Sequence, residues 1–189
     1  MSKISLTPNA SGTGTLTIAA PSTSIDRTLT LPDETGTVLS SASSITQNDG
    51  PAFSAYRNTS QSFSNTTYTK VTLNAEEFDT DSCFDSSTNY RFTPTVAGYY
   101  VITGNVNLGT AGGGVGKAII YKNGTYYKFG GSAPFNSGTD TNAHVSAVLY
   151  LNGSTDYVEL YTWQNSGSSL SPGYAVWVSN FTGALVRKA

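Results

Sequence analysis

A chain of 189 residues is long enough for one medium domain with a core of its own plus an appendage. Ten Lys and Arg stand against twelve Asp and Glu, a net charge of −2 with no basic run, which excludes phosphate-driven nucleic-acid binding. No stretch approaches ~18 consecutive apolar residues, so no membrane insertion is expected, and the single cysteine, Cys83, excludes an intrachain disulfide.

The first fifty residues contain no large aromatic side chain; every Phe, Trp and Tyr lies from Phe53 onward. Aromatic side chains dominate core energetics, so this segment cannot build a conventional core. It has a pattern nonetheless. Gly14-Thr-Leu-Thr-Ile-Ala-Ala-Pro21 is echoed by Arg27-Thr-Leu-Thr-Leu-Pro32, and Thr37-Val-Leu39 starts a third copy. Each copy is a short alternating strand ended by Pro or polar turn residues. An isolated strand or hairpin is marginal in water, so Leu16, Ile18, Leu29, Leu31, Val38 and Leu39 need sister copies to pack on. Disorder is the alternative for a segment this rich in Ser, Thr and Gly. Residues 1 to 8 lack the apolar core of a secretory signal, which predicts synthesis in the cytoplasm. Small residues from Ser40 to Gly50 mark a linker, and the chain divides into an extended β-fibrous arm over 1–46 and a head over 47–189.

In the head, Tyr, Thr, Asn and Gly are abundant and helical periodicity is absent, which predicts an all-β domain, an antiparallel β-sandwich. Strands are predicted near 51–57, 68–74, 89–93, 97–108, 115–122, 125–130, 143–151, 156–163 and 174–186. The segment over 89–106 is central. Pro94 and Gly98 mark a turn there, with Gly98 suited to a positive φ. Beyond it Tyr100, Ile102, Gly104 and Val106 share one face of a strand, and Tyr99, Val101, Thr103 and Asn105 the other. Asn123-Gly124, between Ala118-Ile-Ile-Tyr-Lys122 and Thr125-Tyr-Tyr-Lys-Phe129, is a strong hairpin signal. The closing strand is expected to begin at Tyr174, with Val176 and Val178 on its face.

Little in this sequence carries reaction chemistry. The one histidine, His144, has no second histidine for a metal pair and no nucleophile elbow beside it. The expectation is therefore a protein that is not an enzyme and has no organic cofactor. Acidic residues cluster at Glu76, Glu77, Asp79, Asp81 and Asp85; Glu77, Asp79 and Asp81 are calcium candidates, against the alternative of a solvated loop. Tyr gives contact area at low entropic cost, and aromatic rings stack on sugars. On that ground Tyr126, Tyr127, Phe135, Trp163 and Gln164 are candidate receptor contacts, the alternative being that Trp163 and Tyr161 are core or subunit-contact residues.

Several landmarks of the head occur in the order of a known family. Pro51-Ala-Phe-Ser-Ala-Tyr-Arg57, then Tyr90-Arg-Phe-Thr-Pro94 with Gly98-Tyr-Tyr100, then Tyr121-Lys-Asn-Gly124, then Ala147-Val-Leu-Tyr-Leu151 with Tyr157-Val-Glu-Leu160, and finally Ser179-Asn-Phe-Thr-Gly-Ala-Leu-Val186 resemble the strands of the complement globular-head (C-one-q) family. That family shares the tumour-necrosis-factor-like jelly roll. The resemblance implies a jelly-roll head packed with two others about a three-fold axis, a homotrimer; some members of the family bind calcium near that axis. The arm, through Gly14-Thr-Leu-Thr and Arg27-Thr-Leu-Thr-Leu-Pro-Asp-Glu-Thr-Gly-Thr-Val-Leu39, is similar to segments of bacteriophage tail-fibre proteins. Together the two resemblances imply a bacteriophage virion structural protein, a trimeric tail-fibre or spike adhesin. Its arm would join other virion proteins, and its head would be exposed to a host-surface glycan or protein. The alternatives are a capsid or baseplate accessory protein that binds no receptor, and a bacterial lectin-like surface module.

Overall fold

The computed structural model describes residues 50–189 and, of the rest, positions 11–15, 17, 22, 24–26 and 28. Two compact units are present, Met1–Ser44 and Ile45–Ala189. The described positions of the first unit are exposed and belong to no helix or strand. The repeats expected around Leu16, Ile18, Leu29, Leu31, Val38 and Leu39, and the linker down to position 49, lie outside the described residues.

Among its described residues the second unit has strands and no helix. The strands are β1 (Ala52–Tyr56), β2 (Thr69–Lys70), β3 (Ala75–Asp79), β4 (Phe84–Asp85), β5 (Arg91–Phe92), β6 (Ala97–Asn107), β7 (Val115–Lys122), β8 (Thr125–Phe129), β9 (Ala133–Pro134), β10 (Asn142–Asn152), β11 (Val158–Gln164) and β12 (Asn180–Lys188). One sheet has the order β10-β6-β12-β1-β3. The other runs β4-β5-β11-β7-β8, with β2 added on β11 and β9 on β7. Every pairing is antiparallel.

The alternation of β6 places it in the core as its sequence predicts: Tyr100, Ile102 and Val106 are fully buried, while Tyr99 and Thr103 are exposed. Both sheets feed one apolar cluster, with Phe53, Phe181, Leu149 and Leu151 from the first and Phe92, Ile120, Val158 and Leu160 from the second. Phe53 is its hub. Its ring stacks on Phe92 at 4.3 Å and Phe84 at 5.1 Å, and meets Phe181 edge-on at 5.4 Å, the offset and edge geometries that aromatic quadrupoles favour. Tyr100 packs edge-on against Phe92 and donates its hydroxyl to the Val96 carbonyl at 2.7 Å.

Burial pushes the Tyr100 phenol up to about 12. A phenol whose folded pKa is raised stabilises the fold in its neutral form. That contribution is intact below pH ~10, where the unfolded side chain begins to ionise, and is lost as pH rises from there towards 12. Tyr100→Phe should therefore flatten the fall in melting temperature between pH 10 and 12; an unchanged slope would place the alkaline sensitivity elsewhere.

Asn123 and Gly124 both adopt positive φ, 53° and 78°, which is the backbone that a two-residue hairpin of matching twist requires. Other expectations need correction. Gly98 is not at a positive φ; it lies inside β6. A Cβ there would come within 2.4 Å of the Arg187 carbonyl oxygen and 2.6 Å of Leu185 Cδ1. What demands glycine is the close approach of β12. The segment Tyr174–Ser179 is likewise no strand. The Val178 amide bonds the Ala175 carbonyl at 3.0 Å, closing a turn, and Trp177 projects into solvent with 79% exposure. Just before it, the buried Arg57 guanidinium holds the chain through Nη2, which donates to the Gly173 carbonyl at 2.7 Å and the Pro172 carbonyl at 3.4 Å. Alternating β-branched and aromatic residues satisfy a strand pattern, but no neighbouring strand is in reach until Asn180.

Candidate functional site

Two sheet faces point away from the shared core, and they differ in chemistry. On the five-stranded sheet the outward side chains fall into cross-strand rows. Val148, Val101, Ala184 and Ala52 form one row by register, and Tyr150 and Tyr99 the next, their rings 5.7 Å apart. Ser146, Thr103, Thr182 and Ser54 form a hydroxyl row, with Thr103 and Thr182 hydrogen-bonded at 2.6 Å. The strands β1, β6 and β10 contain no Asp, Glu, Lys or Arg at all, and β12 has only Arg187 and Lys188, at its end. Val148 is 61% exposed and Val186 50%. His144 stands in an exposed position of β10 opposite Asn105. The outward face of these four strands is long and carries charge only at the end of β12, while β3 at the sheet edge adds Glu76, Glu77 and Asp79.

The seven-stranded sheet presents aromatic rings instead. In β7 the residues facing away from the core are Lys117, Ile119 and Tyr121; in β11 they are Glu159, Tyr161 and Trp163, register partners of those three. Tyr121 and Tyr161 stack at 3.7 Å. From there the rings continue through Tyr126 (6.5 Å from Tyr121), Phe129 (5.5 Å from Tyr126), Tyr68 (6.4 Å from Phe129) and Trp163 (6.4 Å from Tyr68). Under this arc Ile119 is fully buried although it lies outside the main core; its register partners are Tyr161 and Phe129. The rings are thus seated on an apolar floor, and all but Tyr68, which immediately precedes β2, are carried by strands.

Lysines interleave with them. Lys117 Nζ lies 5.6 Å from the centre of the Trp163 ring, and Lys70 Nζ 5.9 Å from that of Tyr161, geometries in which the ring quadrupole attracts the cation. Lys70 also pairs with Glu159, a carboxylate only 4% exposed. Burial, and after it the Glu159 charge, pushes the Tyr161 phenol up to about 12; burial also raises that of Tyr121.

The structure sorts the residues singled out in the sequence. Tyr126 is 61% exposed on the arc, and Trp163 is half-buried at its other end. Tyr127 is exposed beside the β8 bulge, with Lys128 Nζ 5.1 Å from its ring centre. Phe135 and Gln164 are corrections. Phe135 is 5% exposed within the main core. Gln164 is fully buried, donating to the Phe63 and Ser168 carbonyls and accepting from the Ser166 amide. Neither side chain is open to a partner.

The calcium candidates Glu77, Asp79 and Asp81 are not brought together. The acidic segment is mostly the edge strand β3 and not a loop. Its oxygens are engaged separately: Glu77 accepts from the Ser54 hydroxyl at 2.7 Å and Asp79 from the Phe84 amide at 2.7 Å, while Asp81 is exposed. Among the described residues no three His, Cys, Asp or Glu side chains converge as metal ligands. Asp85 instead organises the next turn, accepting from the Ser87, Thr88 and Asn89 amides; these bonds, the Thr88 amide foremost, hold its carboxyl well below the usual range.

Sequence reasoning missed Tyr68, Phe129, Lys70 and Lys117. Their signal was the alternation of β7 and β11, which becomes a shared face only once those strands are known to pair.

Solved structures share this architecture. The globular domain of zebrafish complement 1qA protein aligns over 75% of this chain and 100% of its own, at 22% identity and a TM-score of 0.53. Murine APRIL aligns over 73% and 100%, at 8% identity and 0.57. The PRD1 vertex protein P5 aligns over 72% and 97%, at 18% identity and 0.52. The head is a jelly roll of the complement-head and tumour-necrosis-factor kind. No family model and no curated protein matches the sequence, so the likeness rests on the path of the chain. The jelly roll accounts for both faces: two antiparallel sheets close one core between them and leave two broad outer surfaces of independent composition.

Proposed function

We propose that the chain is a non-enzymatic bacteriophage virion protein of the spike type: a homotrimer whose arm joins other virion proteins and whose jelly-roll head is exposed for attachment to a host surface. The observation that carries the reading is the outward face of β10, β6, β12 and β1, where charge is confined to Arg187 and Lys188 at the end of β12. Val148, Val101, Tyr99 and Tyr150 in water are an aggregation hazard in a lone domain, and packing against sister heads removes it. The trimer implied by the complement-head resemblance supplies those sister heads, and the same association gives the aromatic-poor arm its partners. The fold likeness to the PRD1 vertex protein supports a place on a virion. Three heads on one stalk bring avidity, which raises weak single-site binding by ~10²–10⁴.

The word vertex also favours the second reading, a capsid accessory that binds no receptor. Adsorption separates the two. Purified full-length protein, added to host cells before the phage, should lower phage adsorption in a concentration-dependent way. Undiminished adsorption under saturating protein would leave the accessory role and remove attachment.

A further inference from the structure

We infer that the aromatic arc on the seven-stranded sheet is a binding site for an acidic glycan, a saccharide bearing carboxylate, sulfate or phosphate groups. The inference deepens the attachment reading and rests on it: with the five-stranded face given to sister heads, the arc stays on the outside of the assembly.

Three observations point to this ligand. The rings are pre-organised, because strands carry Tyr121, Tyr126 and Phe129, Tyr68 immediately precedes β2, and ring contacts hold the four in a continuous series. A platform already fixed in place loses little entropy on binding. The apolar faces of pyranose rings suit exposed aromatic surfaces that a fully apolar partner would bury more completely, and Tyr126 keeps 61% of its surface in water. Charge sets the sign of the ligand. Glu159 is buried and already paired with Lys70, whereas Lys117 lies over the ring of Trp163 without a carboxylate partner among the described residues. In a chain of net charge −2, this face thus presents, among the described residues, one lysine without a carboxylate partner beside sugar-stacking rings. Neutral saccharides satisfy the rings alone; acidic ones satisfy both.

The test applies full-length protein to a printed panel that holds uronate-, sialate-, sulfate- and phosphate-bearing glycans beside neutral glycans of matched length. Binding should be confined to acidic members and should weaken as salt is raised, as an exposed ionic contact requires. Lys117→Gln and Tyr126→Ala should each weaken it about tenfold; both side chains are at the surface, so an unchanged melting temperature shows the fold intact. Equal binding to neutral glycans, undiminished binding by both variants, or no acidic glycan bound by folded protein overturns the inference. The adsorption experiment keeps the two ideas apart. Blocked adsorption with a blank panel leaves attachment through a protein receptor and removes the glycan. Acidic glycans bound without any effect on adsorption keep the site and remove the attachment role.

Discussion

Val148→Arg should turn a particle of about three times 19.9 kDa into one of 19.9 kDa in light scattering. Val148 begins the apolar row that runs through Val101 and Ala184 to Ala52. In a trimer closed over this face, arginine would bring an unpaired cation into contact with apolar side chains in every copy. Burying an uncompensated charge costs on the order of 3–5 kcal/mol, and each ~1.4 kcal/mol is tenfold in affinity. In the lone head the same arginine meets water, because Val148 is already 61% exposed, so far-ultraviolet circular dichroism of the variant should match the parent. A variant of undiminished mass would free this face of any role in assembly. A monomeric parent would remove the trimer itself, and with it the reason for the arm to order.

Gly98→Val should cost the head about 3 kcal/mol, the upper range for overpacking, which for a domain of this size lowers the melting temperature by roughly 10 °C. The Cβ would lie 2.4 Å from the Arg187 carbonyl oxygen, which is backbone in the paired strand β12 and cannot swing aside as a side-chain tip can. Gly98→Asn tells close approach from backbone conformation. Asparagine tolerates positive φ, so it would be harmless if conformation were the requirement; steric contact with β12 makes it nearly as damaging as valine. A stable Gly98→Asn variant would refute the packing argument.

Why the turn reading of Gly98 failed while that of Asn123-Gly124 held is instructive. The hairpin is a local object: two residues with positive φ join strands already adjacent in the chain, and their chemistry suffices. Gly98 answers to Arg187, far along the chain, and nothing within its own neighbourhood announces that contact. The same contrast governs Tyr174–Ser179, where a good strand pattern has no strand to pair with, and Ala75–Asp79, where an acidic segment that looks like a loop becomes an edge strand because β1 lies beside it. It also governs the candidate site. Tyr126 and Trp163 could be picked for their chemistry, but Gln164, next to Trp163, points into the core, since successive strand residues face opposite sides.

By itself the sequence determined the class of the head, its jelly-roll resemblance and the inward face of its central strand, because side-chain alternation and turn chemistry act over a few residues. The tertiary structure alone decided which strands lie side by side, and hence that Lys117, Tyr121, Tyr161, Trp163 and Tyr68 share one surface and that Val148, Val101 and Ala184 share another. Strand pairing joins residues distant in the chain, and a face is a property of pairing and register, which no single strand contains.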